Sequence, residues 1–466
     1  MHRRDLLRIG AGLATGAGLS RLRAQASAAW DELPRLLARI RPPVFPDRQF
    51  DVRHYGAAAG GKADCGDAIA KAIAACHEAG GGRVVVPAGE FLTGPIHLKS
   101  NVNLHVSTGA TLLFSRAPKR YLPVVYTRWE GVECMNYSPF IYADGQENIA
   151  VTGEGTLDGQ ADDQDWWPWQ GGAAHGWRQG MPNQKSARQH LFDMGQNDVP
   201  VSQRIFGEGG YLRPGFIQPC HSRNILIDGV TIVNSPMYEI NPVLCTNVTV
   251  RGVKISSHGP NNDGCDPDSS ADVLIENCSF DTGDDCIAIK SGRNRDGRRV
   301  GVPSVNLVIR GCEMQDGHGG ITIGSEMSGG VRNVFAENCR MNSPHLNEAL
   351  RFKTNAMRGG AIEHVCFRNI AIGQVSDAVL QIDFQYEEGE QGPERPVVRD
   401  IELQNVSCEK SRYALQLRGF ASDPIRDIRL DDCAFRNVAL PDIVDHVEDL
   451  KLNRVTVNGR LHQAGS

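Results

Sequence analysis

Aromatic residues are scarce in this chain of 466 residues: Phe, Trp and Tyr together make up 6%. A core of clustered rings is excluded, so Val, Ile, Leu, Ala and Cys must fill most of the interior. Charge of one sign is lacking too. Lys plus Arg number 49 against 55 Asp plus Glu, a formal net charge of −6. That is not the basic excess that nucleic-acid binding calls for. Beyond the first 26 residues no apolar run is long enough to span a bilayer. With 41% hydrophobic and 22% charged residues, the chain is not a disordered polymer either. What it has in quantity is turn residues, 51 Gly and 24 Pro. Its 13 Cys are odd in number and spread along a long chain, so they do not describe a disulfide framework.

Residues 1–26 read as an address. Arg3-Arg4 precede a Gly/Ala-rich apolar stretch that ends in Ala24-Gln25-Ala26, the layout of a twin-arginine export leader. The expected destination is the bacterial periplasm or exterior. Residues 27–50 form an N-terminal extension, and 51–466 are expected to form one catalytic domain.

That domain repeats. Asn224-Ile225-Leu226-Ile227-Asp228-Gly229-Val230 returns at Asn247, Asp272, Asn306 and Asn333, with weaker copies at Asn148, His364, Asp400, Asp427 and Asp449. From 224 onward the intervals are 23, 25, 34, 27, 31, 36, 27 and 22. A period in the low twenties, lengthened by insertions and built from alternating β-branched strands, marks an all-β solenoid. The economical fold is a right-handed parallel β-helix, with the recurrent Asn stacked in a hydrogen-bonded ladder. Cys278, Cys312, Cys339 and Cys433 share a register and are expected in the core, not on a metal. Residues 67–79 place Ile69, Ala72, Ile73 and Cys76 on one helical stripe. This helix, capped by Asp67 and ended by Gly80-Gly81-Gly82, should cover the N-terminal mouth.

Chemistry concentrates between the repeats, in Asn261-Asn262-Asp263-Gly264, Gly283-Asp284-Asp285-Cys286, Gly317-His318-Gly319 and Arg351-Phe352-Lys353. Each lies about one coil after the last, which puts Asp263, Asp284, Asp285, His318, Arg351 and Lys353 on one wall over roughly 15 Å. Asp284 and Asp285 share that wall only at a strand end or bulge. Any one of these Asp residues is ordinary turn chemistry; the set in register is not. Clustered carboxylates hold a cation or form an acid/base pair. The neighbouring cations favour the second and suit an anionic substrate. Lys290 is a further candidate for substrate contact, although an exposed lysine is the plainer expectation there. Residues 160–220 interrupt the repeat and carry Trp166 and Trp167, which either stack on sugar or pin the insertion. A loop at 385–396 borders the cleft in the same reading, and closure of one end by these loops would make the enzyme trim chain ends.

These four motifs, in this order, resemble glycoside hydrolase family 28, the polygalacturonases. Supporting segments run from Asp51-Val52-Arg53-His54-Tyr55-Gly56 to about residue 435. Asp266-Pro267-Asp268-Ser269-Ser270 and Gly324-Ser325-Glu326-Met327-Ser328-Gly329-Gly330 are similar to bacterial, exo-acting members. Asn262 and Phe352 depart from the usual residues without removing a reactive group. The resemblance implies inverting hydrolysis of α-1,4-galacturonan without metal or cofactor. Asp284 would be the general acid. Asp263 and Asp285 would hold and deprotonate water. His318 would tune the cluster, and Arg351 and Lys353 would grip a galacturonate carboxylate. Inversion implies about 6.5–9.5 Å between at least one carboxyl pair. Rhamnogalacturonan and xylogalacturonan hydrolases, a calcium-dependent pectate lyase and a non-catalytic carbohydrate-binding solenoid stay as alternatives. Oligomeric state is left open.

Overall fold

The computed structural model describes residues 30–462, so the expected leader lies outside the described residues. Strands stack in parallel along the molecule, in a 24-stranded sheet that forms most of the wall and a six-stranded sheet facing the site. Pairing joins Arg223 to Thr246, Thr246 to Ala271, and Ala271 to Val305. It continues through Arg332, Glu363, Arg399, Arg426 and Glu448. Each step repeats the interval of the sequence motif, so the insertions lie in loops and leave the register untouched. The fold is a parallel β-helix, as expected.

The repeated polar residue has a backbone reason. Asn148, Asn224, Asn247, Asp272, Asn306 and Asn333 all sit at φ between 54° and 61°. Asn and Asp tolerate this left-handed conformation better than other residues with a side chain. It bends each strand, and the side chains then link coil to coil. Asn224 donates to Asn148, Asn247 to Asn224, Asn306 to Asp272 and Asn333 to Asn306, at 2.8–3.1 Å. Inside, Val230, Val253, Cys278, Cys312, Cys339, Ile370, Val406 and Cys433 form one buried stack. Each large aliphatic side chain buried in such a stack contributes about 1.5–3 kcal/mol. All 13 Cys are buried free thiols.

The helix Gly66–Glu78 packs Ile69, Ala72, Ile73 and Cys76 onto the first coils. Asp67 is not its cap. The helix starts one residue earlier, so Asp67 lies in the first turn, while Asp64 accepts from the Gly66 amide. The first rung, Gln49–Asp51, begins just before the boundary expected at 51. The preceding extension is a strap along the outer wall. Trp30, Leu33 and Leu36 cover Leu274, Val308, Phe335 and Cys366, and Asn247 exchanges two hydrogen bonds with the Arg41 backbone. Among the described residues no helix is long and apolar enough to cross a membrane.

Candidate active site

Four adjacent rungs carry the site. Cys265 neighbours Ile287, Ile287 pairs with Ile321, and Ile321 pairs with Leu350. Their flanking turns bring Asp263, Asp284, Asp285, His318, Arg351 and Lys353 together. Asp284 and Asp285 fall between the strands Ser279–Thr282 and Ile287–Ile289, so strand alternation does not separate them. Phe352 is fully buried behind Arg351 and Lys353. The turn bearing Asp263 is fastened from below. Asn262 accepts from Ser257 and the Gly259 amide and donates to the Ser235 and Met237 carbonyls. Buried Arg213 donates to Pro236, Pro260 and Asn261. Gly319 is required by close approach, because a Cβ there would stand 2.7 Å from Asp285 Oδ1.

Asp263, Asp284 and Asp285 each offer an oxygen within 4.8 Å of the others. These nearest oxygens are closer than the carboxyl separation expected for inversion. Two oxygens at this spacing can both accept from one water, since two hydrogen bonds of about 2.8 Å meeting at its angle span the gap. Lys353 Nζ lies 2.7 Å from Asp285 Oδ2, and Arg351 3.5 Å from Oδ1. Asp284 Oδ1 accepts from the Asp285 amide at 2.9 Å and meets His318 Nδ1 at 3.0 Å. Asp284 is the most open of the three carboxyls, 17% exposed against 4% and 0%.

Burial pushes Asp263 well above the usual carboxylate range, aided by Asp266 and Asp284 and resisted by Lys290. Burial also works to raise Asp284, but the His318 hydrogen bond and the charges of His318, Lys353 and Lys290 outweigh it and hold Asp284 low. The same bond raises His318 to about 9 against the cost of its burial. In the free protein the pairing therefore favours a protonated His318 beside an ionised Asp284, while burial works against ionising Asp263. For His318 the folded value exceeds the ordinary 6.5, so the pair stabilises the fold fully below that pH and loses its effect as pH rises through about 9. Unfolding of wild type and His318→Ala across this window should show their stability gap closing. A gap that stays constant or widens with pH would contradict the pairing.

Lys290 is not the exposed lysine expected. It is buried, with Nζ 3.4 Å from Asp263, 3.5 Å from Asp266 and 3.4 Å from Glu326. The sheet explains this, since Lys290 lies beside Asp268 on the face that forms the groove floor. Lys290 and Lys353 each hold one oxygen of Asp263 and Asp285, two of the carboxyls that a cation there would share. Trp166 does not face sugar. It is buried against Tyr121, Phe140 and Trp169 and pins the insertion. Trp167 is half-buried and donates to the Ser235 carbonyl; neither ring lines the cavity.

That cavity, about 220 Å³, is lined by Asp263, Asp284, Lys290, His318, Arg351 and Lys353, by Glu326, Tyr386 and Glu387 from the 324–330 and 385–396 segments, and by Glu130, Arg188, Tyr238 and Arg293, which no motif revealed. The hairpin of strands Val125–Trp129 and Val132–Asn136 lies over the preceding rungs, where Arg128 binds Asp268 and Ser269 at 2.8 and 2.9 Å. Its turn meets the next coil, where Gly131 accepts from the Arg293 amide. The helix Lys185–Gln196 supports it through Leu191 against Trp129, Val132 and Cys134. The 385–396 loop is tied down by Glu387, which receives Arg358 at 2.5 Å and Arg293 at 3.1 Å. Together these insertions wall the cavity, supplying Glu130, Arg188, Tyr386 and Glu387 to its lining.

Residues 204–447 match the family described as Glycosyl hydrolases family 28. A probable polygalacturonase from Vitis vinifera is 30% identical, over 75% of this chain and 66% of its own length, just under two thirds. An exo-poly-alpha-D-galacturonosidase from Dickeya chrysanthemi is 26% identical, over 87% of this chain and 70% of its own. The crystal structure of a hyperthermoactive exopolygalacturonase from Thermotoga maritima superposes with a TM-score of 0.91 at 44% identity, covering 93% of this chain and 97% of that one. By its stacked coils, its clustered acids and this match over more than half its length, the chain belongs to glycosyl hydrolase family 28 and is a glycoside hydrolase.

Proposed function

We propose that the protein is an exo-acting polygalacturonase, cleaving α-1,4-galacturonosidic bonds near a chain end of pectic galacturonan with inversion. One observation carries this reading: Asp263 and Asp284 line a cavity with Arg351 and Lys353, Asp285 is buried within 4.8 Å of both carboxyls, and residues of inserted loops wall that cavity. The similarity to enzymes named as exo-acting supports it. Asp284, the open carboxyl, protonates the glycosidic oxygen with a proton that it takes up at Oδ1. That role needs the proton held by His318 in the free site to move across the 3.0 Å contact when substrate binds. Asp263 and Asp285 hold the attacking water between them and take its proton. Arg351 and Lys353 bind a galacturonate carboxylate by charge-assisted hydrogen bonds, stronger than neutral ones. An anionic polymer is the substrate, and export by the leader at 1–26 would bring the enzyme to it.

Product analysis on homogalacturonan tests the reading. Galacturonate should appear from the first time point while the polymer shortens slowly. Early long oligomers with little monomer would reject chain-end action. An ultraviolet-absorbing product lost on chelation would indicate a lyase. Faster release from rhamnogalacturonan or xylogalacturonan would move the substrate within the family.

A further inference from the structure

One wall of the cavity holds two guanidiniums against one aromatic ring. Arg188 Cζ lies 4.5 Å from the centre of the Phe192 ring and Arg293 Cζ 4.1 Å from it. Such stacking fixes the plane of a guanidinium and leaves its edges for hydrogen bonds. Like charges brought this close need a shared anion, and Glu130 supplies one. Its Oε2 is 2.7 Å from Arg188 and 3.9 Å from Arg293. The two cations are otherwise unlike. Arg293 is 4% exposed and committed to Glu326 and Glu387, at 3.1 Å each. Arg188 turns Nε and Nη2 to Glu130 and is 34% exposed, the most open Arg or Lys lining the cavity. Arg351 follows at 16%, and Lys290 and Lys353 at 4% and 8%. The acid with similar exposure, Glu387, is already neutralised by Arg293 and Arg358. An open, oriented guanidinium edge therefore faces the pocket where a chain end would stop.

We propose that Arg188, held by Glu130 and Phe192, is the carboxylate receptor for the terminal uronic acid, so that this wall selects a sugar acid over a neutral sugar. This rests on the chain-end reading above and deepens it. Two carboxylate grips then serve the substrate, Arg188 at this wall and Arg351 with Lys353 among the acids. Arg188 contacts none of Asp263, Asp284 and Asp285, so it acts on binding.

Steady-state kinetics on trigalacturonate, with free galacturonate and galactose as competing ligands, test the assignment. Arg188→Gln keeps a donor toward Glu130 while removing the charge. It should raise KM by about 10–100-fold, the value of one charged hydrogen-bond partner, with a smaller change in kcat. It should also abolish the preference for galacturonate over galactose as inhibitor. Arg188→Lys should recover part of both. Unchanged KM together with retained discrimination would overturn the proposal and leave Arg188 a tether between helix and hairpin. If Arg188→Gln loses kcat and melts early, Arg188→Lys decides alone: discrimination equal to wild type with fully normal KM overturns it, and a graded loss of both supports it. Failure of the chain-end reading shows separately, as wild-type enzyme releasing no galacturonate from the polymer.

Discussion

Asp284→Asn should lower kcat on galacturonan by about 10²–10⁴-fold, the usual contribution of a positioned general acid. The fold should persist, losing only the stability that the His318 pair supplies below about pH 9. The amide keeps an oxygen for the Asp285 amide hydrogen that Asp284 Oδ1 now receives. What it loses is the carboxylate that faces His318 at 3.0 Å. A second readout follows from that loss. His318 stands at about 9 chiefly because of Asp284, so in the variant its titration should fall toward the ordinary 6.5. Histidine NMR during a pH titration reads this directly. In wild type the same proton should set the alkaline limb of kcat/KM, since at pH above about 9 the His318–Asp284 pair no longer holds one. A variant keeping more than about a tenth of wild-type kcat would remove Asp284 from the acid role. If activity is lost but the His318 titration stays high, the proton route through His318 is wrong and Asp284 takes its proton from another source.

Much of this arrangement is legible in the sequence because a solenoid converts linear spacing into stacking. The intervals 23, 25 and 34 from Asn224 onward are also the register offsets of the strands. Once they are known, Asp263, Asp284, His318 and Arg351 must fall on neighbouring coils. Side-chain environment is less accessible. Lys290 has no local sign of burial; the acids around it come from positions 263, 266 and 326. Trp166 offers the same aromatic surface to sugar or to core. Its burial depends on Tyr121 and Phe140, which lie before the insertion. The cavity wall was visible only as insertions of unknown course, because its contacts are long-range. Arg188 meets Glu130 across 58 positions and Arg293 meets Glu387 across 94. The capping error at Asp67 is a local one: Asp64 offered the same chemistry to a helix that begins at Gly66.

Lys290→Met carries the largest expected effect on stability. One buried ammonium serves Asp263, Asp266 and Glu326, all within 3.5 Å. Removing one partner of a buried ionic group typically costs about 3–5 kcal/mol, because the remaining charge keeps its desolvation penalty without compensation. The loss should depend on pH in a definite direction. Burial already holds Asp266 up at about 8 and Asp263 well above its ordinary 3.8, and Lys290 opposes both shifts. Without the ammonium both acids rise further in the folded state, while the unfolded chain keeps ordinary values. Groups whose folded values are raised favour folding at low pH and disfavour it as pH rises. The stability gap between wild type and Lys290→Met should therefore widen from acid to neutral pH. Activity should move in the same sense. Asp263 accepts a proton from water only when ionised, so raising its value shifts the acidic limb of kcat/KM to higher pH. Denaturant unfolding and pH–rate profiles of the two proteins measure these effects. A destabilisation constant across pH, with an unshifted acidic limb, would make Lys290 a packing residue and leave Asp263 to be ionised by some other means. The predicted pattern would instead identify Lys290 as the cation that keeps a buried carboxyl available as a base.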